Sequence, residues 1–211
     1  MRRLEGKSIV IAGGGTGIGR GTAYRLASEG AGVVVGDLSG ENAEKVAAEI
    51  RADGGKAVGV AFDLTDEPTI ARLMQPAVDE FGGLDGAHIN AADLKAHRFD
   101  TNALEIDMEI FDRVVAVNLR GHLLATRHAL PHMLKRGGGA LVYTSSAGGY
   151  LGGAKRMAYA MTKSGTHALM RHVASKWGKS NIRANVLCPG MVKTEANENA
   201  PESRLGGARK G

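Results

Sequence analysis

Short apolar runs alternate with longer amphipathic stretches along most of the chain. Six runs are rich in β-branched residues and nearly continuous in apolar character, which is typical of strands covered on both faces. Between these runs, apolar residues recur at helical spacing. The predicted strands are 7–12, 32–37, 56–63, 85–90, 139–146 and 181–188, and the predicted helices are 17–29, 41–53, 66–81, 107–136 and 157–178.

Turn and cap signals separate these elements. Glycines follow the helices where left-handed C-terminal caps belong, at Gly30, 54–55, 82–83 and 137–139. Ser39 and Thr65 stand where N-caps are expected. Regular alternation of strand and helix predicts an α/β fold, a Rossmann-type doubly wound parallel sheet with helices on both faces. We expect one domain, residues 1–194, and a polar, irregular tail, residues 195–211.

The net charge of +5 raises the question of a nucleic-acid partner. A protein that binds nucleic acid clusters its basic residues or interleaves them with aromatic ones. Here 27 Lys and Arg are spread among 22 Asp and Glu, and aromatic residues make up only 4%. Solvated surface charge is the favoured interpretation, and no nucleic-acid partner is expected.

We expect neither a membrane nor a metal partner. No stretch approaches the roughly 18 apolar residues of a membrane span, and the N-terminus lacks the apolar region of a signal peptide, so we predict a cytoplasmic protein. Cys188 is the only cysteine, which excludes an internal disulfide. His128 and His132 have a spacing that can bind zinc, but no third ligand is evident nearby. Surface or interface histidines are the favoured interpretation.

A glycine-rich turn lies between the first strand and the first helix, with glycines at 13, 14, 15, 17 and 19. Such glycines let the backbone approach a pyrophosphate at a helix N-terminus, where free amides and the helix dipole favour an anion. A mobile loop is the alternative, but the position between strand and helix favours phosphate binding. The spacing of Gly13, Gly17 and Gly19 resembles that of the short-chain dehydrogenase/reductase family.

A serine, a tyrosine and a lysine extend this resemblance. Tyr159 and Lys163 are one helical turn apart, and Ser146 lies at the C-terminal end of the fifth strand, where ligands bind in open α/β sheets. Tyrosine, with a free pKa of about 10, is a poor base at neutral pH. An ammonium ~4 Å away stabilises the phenolate by ~4 kcal/mol at an effective dielectric of about 20, which predicts a pKa near 7. Alternation along the strand points the neighbouring Ser145 the other way.

The resemblance covers residues from about 5 to 195 and implies a role for each site residue. Tyr159 is the general acid–base, Lys163 also holds the nicotinamide ribose, and Ser146 bonds the substrate oxygen. Asn118, in the long helix, binds a water that relays protons to the lysine. The implied cofactor contacts are Gly13, Gly17, Ile18, Gly19, Asp37, Leu38, Asp63, Leu64, Asn90, Ala91, Tyr159, Lys163, Val192 and Thr194.

Asp37, at the end of the second strand, predicts the choice of cofactor. A carboxylate there accepts hydrogen bonds from ribose hydroxyls and repels a 2′-phosphate. Relatives that use NADP carry a basic residue at one of two positions, which Thr16 and Leu38 occupy here. The sequence therefore predicts NAD. The alternative interpretation of Asp37, an aspartate of a turn or helix N-cap, is compatible with the same role in binding the ribose.

The chain departs from the family pattern at three places. Ala12 stands where the family has a threonine, and residues 89–92 stand where it has an Asn-Asn-Ala-Gly segment. We therefore expect a more apolar contact between the end of the first strand and the residues after the fourth. The family's usual seventh strand is not recognisable after the sixth.

Two functional hypotheses follow. The first is an oxidoreductase that transfers a hydride between NAD(H) and a secondary alcohol or ketone. It would be a homodimer or homotetramer that pairs helices 107–136 and 157–178, with Ala160, Ser164, Gly165 and Ala168 allowing close approach. The alternative is an NAD-binding protein of the same fold without turnover, because the C-terminal region of the substrate pocket is missing.

Overall fold

The computed structural model describes residues 2–194, so the predicted tail lies outside the described range. The strands are β1 (Ser8–Ala12), β2 (Gly32–Asp37), β3 (Lys56–Ala61), β4 (Gly86–Ile89), β5 (Gly139–Thr144) and β6 (Ile182–Leu187). The α-helices are α1 (Gly17–Ser28), α2 (Gly40–Ala52), α3 (Glu67–Asp79), α4 (Met108–Val115), α5 (Gly121–Lys135) and α6 (Met157–Trp177). Within the described range, no helix has both the length and the apolar character needed to cross a membrane.

The six strands form one parallel sheet in the order β3-β2-β1-β4-β5-β6. Val10 of β1 is in register with Val34 of β2 on one side and with Ala87 of β4 on the other. The chain runs outward from β1 to β3, then returns to β4 and continues to β6. The predicted doubly wound sheet is confirmed, and β6 is the edge strand of its described part.

Two apolar layers cover the two faces of the sheet. Consecutive residues of β2 point to opposite faces, as strand geometry requires, so Val33 and Val34 belong to different layers. One layer contains Ala23 of α1 and Val46 of α2. The other contains residues of α3, α5 and α6, such as Leu73, Leu124 and Val173.

Most of the predicted caps are confirmed. The Ser39 hydroxyl accepts a hydrogen bond from the amide of Asn42 at the start of α2. Gly30, Gly54, Gly82 and Gly137 have positive φ after their helices. The prediction for Thr65 was wrong. Asp66 is the N-cap of α3, and the Thr65 amide and hydroxyl instead donate to the Asp63 carboxylate at 2.7 and 2.8 Å.

The predicted single helix 107–136 is also corrected. A π-helical turn, Ala116–Arg120, separates α4 from α5 and carries Asn118. Such a turn adds a residue to the helix and shifts the faces on either side, which apolar periodicity does not reveal. Turns of this kind are frequent at functional sites.

Candidate active site

The site residues meet at the carboxyl edge of the sheet. The order of the strands reverses between β1 and β4, and ligands bind in the crevice outside such a switch point. The glycine turn follows β1 and Asn90 follows β4, while Ser146 and the segment 188–194 follow β5 and β6.

The glycine turn is packed so closely that side chains are excluded from it. A Cβ on Gly19 would lie 1.8 Å from the carbonyl oxygen of Gly13, and one on Gly13 would lie 2.7 Å from Ala91. Helix α1 starts at Gly17, and Thr16 makes no side-chain cap. The first turn of α1 carries no acidic residue that would compete for its amides. A backbone cradle at an uncapped helix N-terminus fits a pyrophosphate.

Asp37 is held against this turn. Its carboxylate accepts hydrogen bonds from the amide of Gly15 at 3.0 Å and from the amide of Ser39 at 3.1 Å. Leu38 beside it is 68% exposed. The end of β2 therefore presents a fixed carboxylate beside an uncharged, open position, and this arrangement fits an adenosine ribose with free hydroxyls.

The two expected cofactor contacts after β3, Asp63 and Leu64, lie in different surroundings. The Leu64 side chain is 3% exposed and faces Gly121 of α5, so it belongs to the core. Asp63 is half-buried, and its carboxylate is used by the turn that leads into α3. Of this pair, only the Asp63 side chain reaches the surface at the sheet edge.

Asn90 ties three strands together. Its side-chain nitrogen donates to the Gly13 carbonyl at 2.8 Å, and its side-chain oxygen accepts from the Thr144 hydroxyl at 2.9 Å. The Thr144 hydroxyl also contacts His88 Nε2 at 2.8 Å. The expectation of a more apolar contact here was wrong. Thr144 of β5 supplies the hydroxyl that Ala12 lacks.

The structure brings Ser146, Tyr159 and Lys163 together. A hydrogen bond with Ser146 and the charge of Arg156 lower the pKa of Tyr159, but burial outweighs both and raises it overall. Lys163 is 1% exposed, and its Nζ lies 5.5 Å from the centroid of the Tyr159 ring. That Nζ donates to the Thr144 carbonyl at 2.6 Å. Burial lowers the pKa of Lys163 to about 8.

The structure therefore differs from the expectation of a Tyr159 pKa near 7. The phenol is buried, so its charged form is disfavoured. The Lys163 ammonium is directed at a backbone carbonyl. In this arrangement Tyr159 is protonated at neutral pH.

Ser145 points away from Tyr159, as strand alternation predicts. Its hydroxyl donates to the Lys163 carbonyl at 3.0 Å and contacts His167 Nε2 at 2.6 Å. His167 is thus buried against β5. Burial, and then the charge of Arg171, lower the pKa of His167.

Asn118 is fully buried in the π-helical turn. Its side-chain oxygen accepts a hydrogen bond from the amide of Asp93 at 2.8 Å. The Asp93 carboxylate in turn accepts from Arg113 Nε at 2.5 Å. The Asn118 side-chain nitrogen has no hydrogen-bond partner among residues 2–194. A buried donor of this kind fits the predicted role of holding a water.

Sequence reasoning missed the segment that positions Tyr159. The Asp100 carboxylate accepts hydrogen bonds from the amides of Ala158 and Tyr159 at 3.0 and 2.8 Å, which fixes the start of α6. The His97 ring contacts the Tyr159 ring edge-on, with centroids 4.4 Å apart. These contacts join residues about sixty positions apart, so no local pattern signals them.

The expected cofactor contacts Val192 and Thr194 lie on the segment that reaches the glycine turn. The side chain of Thr194 is the nearest group to a Cβ placed on Gly17, at 3.4 Å. Val192 is exposed on the same segment. The residues after β6 therefore reach the start of α1, at the mouth of the crevice.

Charge is segregated between two parts of the described chain, which corrects the expectation of mixed charges. Every charged side chain from 113 to 194 is a lysine or an arginine, and all described carboxylate side chains lie within 2–112. The basic part contains α5, β5, α6 and β6. His128 contacts Glu67 at 3.0 Å, and no group of residues within 2–194 has the composition of a metal site.

The strand order, the glycine cradle at the switch point and the tyrosine–lysine pair define a nucleotide-binding α/β protein of the Rossmann type. The short chain dehydrogenase family matches residues 7–205, and the chain belongs to this family.

Three similar proteins illustrate the relationship. A cis-4-hydroxycyclohexanecarboxylate dehydrogenase of Sinomonas cyclohexanicum is 40% identical over 88% of the chain and 73% of that protein. A 2,5-dichloro-2,5-cyclohexadiene-1,4-diol dehydrogenase of Sphingobium indicum is 36% identical over 98% of the chain and 80% of that protein. The structure of a 7α-hydroxysteroid dehydrogenase complexed with NADH and 7-oxo glycochenodeoxycholic acid has a TM-score of 0.87 and 30% identity, covering 95% of this chain and 76% of that one.

Proposed function

We propose that this protein is an NAD-dependent dehydrogenase that oxidises a secondary alcohol on a ring, or reduces the corresponding ketone. The observation that carries this proposal is the meeting of Ser146, Tyr159 and Lys163 beside the glycine cradle. The names of two relatives, which act on a cyclohexadiene diol and a hydroxycyclohexanecarboxylate, support the ring alcohol.

Each residue of the group has one task in this proposal. The bound nicotinamide supplies or accepts the hydride. Ser146 donates a hydrogen bond to the substrate oxygen, and Tyr159 gives a proton to that oxygen in reduction or removes one in oxidation. Lys163 and Asn118 assist this proton transfer: Asn118 holds a water that relays protons to Lys163, beside the tyrosine. Because burial raises the pKa of Tyr159, the protonated phenol suits reduction at neutral pH, and oxidation should accelerate as pH rises.

The preference for NAD rests on Asp37 and Leu38. The carboxylate is fixed by two backbone amides at the end of β2, where it would accept from ribose hydroxyls. The same charge would repel a 2′-phosphate, and Leu38 offers no compensating cation.

We further propose a cytoplasmic homodimer or homotetramer that pairs the faces of α5 and α6. Leu123 of α5 and Met161 of α6 are exposed apolar side chains, and Ser164 and Ala168 are exposed small ones. A Cβ on Gly165 would lie 2.9 Å from the Leu119 side chain, so the glycine allows close packing there. Light scattering at micromolar concentration tests the assembly, and a monomer would contradict it.

The second candidate is an NAD-binding protein without turnover. One observation favours it, because the Lys163 ammonium donates to the Thr144 carbonyl and lies 5.5 Å from the Tyr159 ring centroid. The two candidates are separated by measuring NADH formation with a panel of cyclic secondary alcohols at pH 7 and pH 9.5. NAD and NADP binding are followed in parallel by thermal shift. We expect turnover that is faster at pH 9.5, and binding without turnover at both pH values would select the second candidate.

A further inference from the structure

Arg156 occupies an unusual position beside Tyr159. It has φ 64, in the left-handed region that side chains other than glycine rarely adopt, and it lies directly before α6. Its amide donates to the Asp100 carbonyl at 2.9 Å, which holds it in this conformation. Backbone strain of this kind persists where the surroundings enforce it, and it is concentrated at ligand sites.

Arg156 lies three residues before Tyr159, and its carbonyl accepts a hydrogen bond from the amide of Ala160 at 2.9 Å in the first turn of α6. The charge of Arg156 lowers the pKa of Tyr159 and also that of His97, whose ring contacts Tyr159. The neighbouring Lys155 is also exposed but lies one residue further from α6. Arg156 is thus the cation at the end of α6 that carries Tyr159, to which a substrate oxygen would bind.

No carboxylate in the described chain neutralises this guanidinium. Arg156 forms no ion pair within residues 2–194, and the two acidic groups close to His97 are already engaged. Asp100 accepts the amides at the start of α6, and Asp93 pairs with Arg113. An exposed, unpaired cation beside an active site is suited to a ligand anion.

The surroundings reinforce this charge. Lys155 and Lys193 are exposed on the loops after β5 and β6, and the whole stretch 113–194 contains no acidic side chain. A field of one sign at the mouth of a cleft attracts ligands of the opposite sign. The same loops expose Tyr150, Leu151 and Met191, which offer apolar contact to the rest of a ligand.

We propose that Arg156 is a substrate-binding residue that pairs with a carboxylate, so that the substrates are hydroxy or keto acids with an apolar body. This inference rests on the proposed dehydrogenase function and adds the substrate class. Tyr159 and Ser146 hold the reacting oxygen, and Arg156 holds the acid group at the other end of the molecule. His97 positions the Tyr159 ring between these two contacts.

The experiment compares two probes of the same shape that differ in charge, cyclohexanecarboxylate and cyclohexanecarboxamide. Their dissociation constants are measured by ligand-observed NMR on the full chain saturated with NADH, and no turnover is needed. We expect the wild-type protein to bind the carboxylate at least tenfold more tightly than the amide. Arg156→Gln should abolish this difference, whereas the matched control Lys155→Gln should keep it within twofold. Thermal melting confirms that both variants are folded.

Three outcomes would overturn the proposal. They are equal binding of the two probes by the wild-type protein, binding of neither probe, and equal losses in the two variants. The wild-type comparison decides the question even if Arg156→Gln does not fold. Failure of the dehydrogenase function would look different, because no secondary alcohol, charged or neutral, would then give NADH.

Discussion

The two parts of the described chain build their shares of the site in different ways. In residues 2–112, backbone amides and glycines form the proposed cofactor cradle, and the Asp37 carboxylate accepts hydrogen bonds from the amides of Gly15 and Ser39. In residues 113–194, the proposed site consists of hydroxyl and cationic side chains, with no acidic residue in the whole stretch. In the proposed function, the first part thus contributes backbone shape to cofactor binding, and the second contributes side chains to proton transfer.

The two parts also differ in what positions them. The glycines and Asp37 of the cradle lie in one strand–turn–helix–strand unit, β1 to β2, and Asn90 after β4 holds the Gly13 carbonyl. Tyr159 and Lys163 lie in α6 and depend on two other segments, because Asp100 fixes the start of α6 and the Thr144 carbonyl of β5 receives the lysine. The proposed catalytic group should therefore respond to changes in more segments than the cradle does.

Gly19→Ala should have the largest effect on the cradle. Its Cβ would collide with the Gly13 carbonyl, so NAD affinity should fall at least a hundredfold or the protein should not fold. Gly21→Ala is the matched control, because nothing lies within 4 Å of a Cβ there. Since Gly21 is in α1, this control should stabilise the protein by roughly 0.5–1 kcal/mol. Fluorescence titration and thermal melting measure both variants, and normal NAD binding by Gly19→Ala would contradict the tight packing.

Changing Asp37 and Leu38 should alter cofactor choice without altering chemistry. Asp37→Ala with Leu38→Arg removes a repulsive charge and adds a partner for the 2′-phosphate. The ratio of NAD to NADP affinity should fall at least tenfold, while the maximal rate with the better cofactor stays within a few-fold. A wild-type protein that binds NADP as tightly as NAD would show that this interpretation of β2 is wrong.

The buried histidines where the two parts meet should make the fold sensitive to acid. Burial lowers the pKa of His88 to about 4 and that of His122 to about 3, below the ordinary 6.5. The unfolded chain therefore binds protons that the folded chain does not, and stability falls as pH drops below 6.5. The slope is about 1.4 kcal/mol per pH unit for each histidine between roughly pH 6 and 4. Urea titrations across this range measure it, and His122→Gln should reduce the slope by about 1.4 kcal/mol per pH unit, the contribution of one histidine. An unchanged slope would show that His122 does not contribute to the loss of stability in acid.

Local sequence patterns were sufficient for the cradle but not for the contacts between segments. The end of β2 at Asp37 and the helix pair Tyr159 and Lys163 depend on periodicity and spacing alone, and both lie where predicted. The π-helical turn at Asn118, the Thr144 contact with Asn90 and the Asp100 cap depend on tertiary packing, which periodicity does not record. The segregation of charge was visible in the sequence, because counting by segment shows that the acidic residues stop at Asp112 until Glu195.

The central claim is that the glycine cradle for the cofactor and the tyrosine that transfers the proton belong to different parts of the chain. Tyr159→Phe tests it directly, with NADH affinity and the rate of alcohol oxidation measured on the same preparation. Loss of the phenol should lower the rate by a factor of about 10²–10⁴, the usual contribution of a general acid–base group. NADH affinity should stay within about twofold, because the cradle is intact. Oxidation that survives the substitution, or NADH affinity that falls together with the rate, would contradict the account.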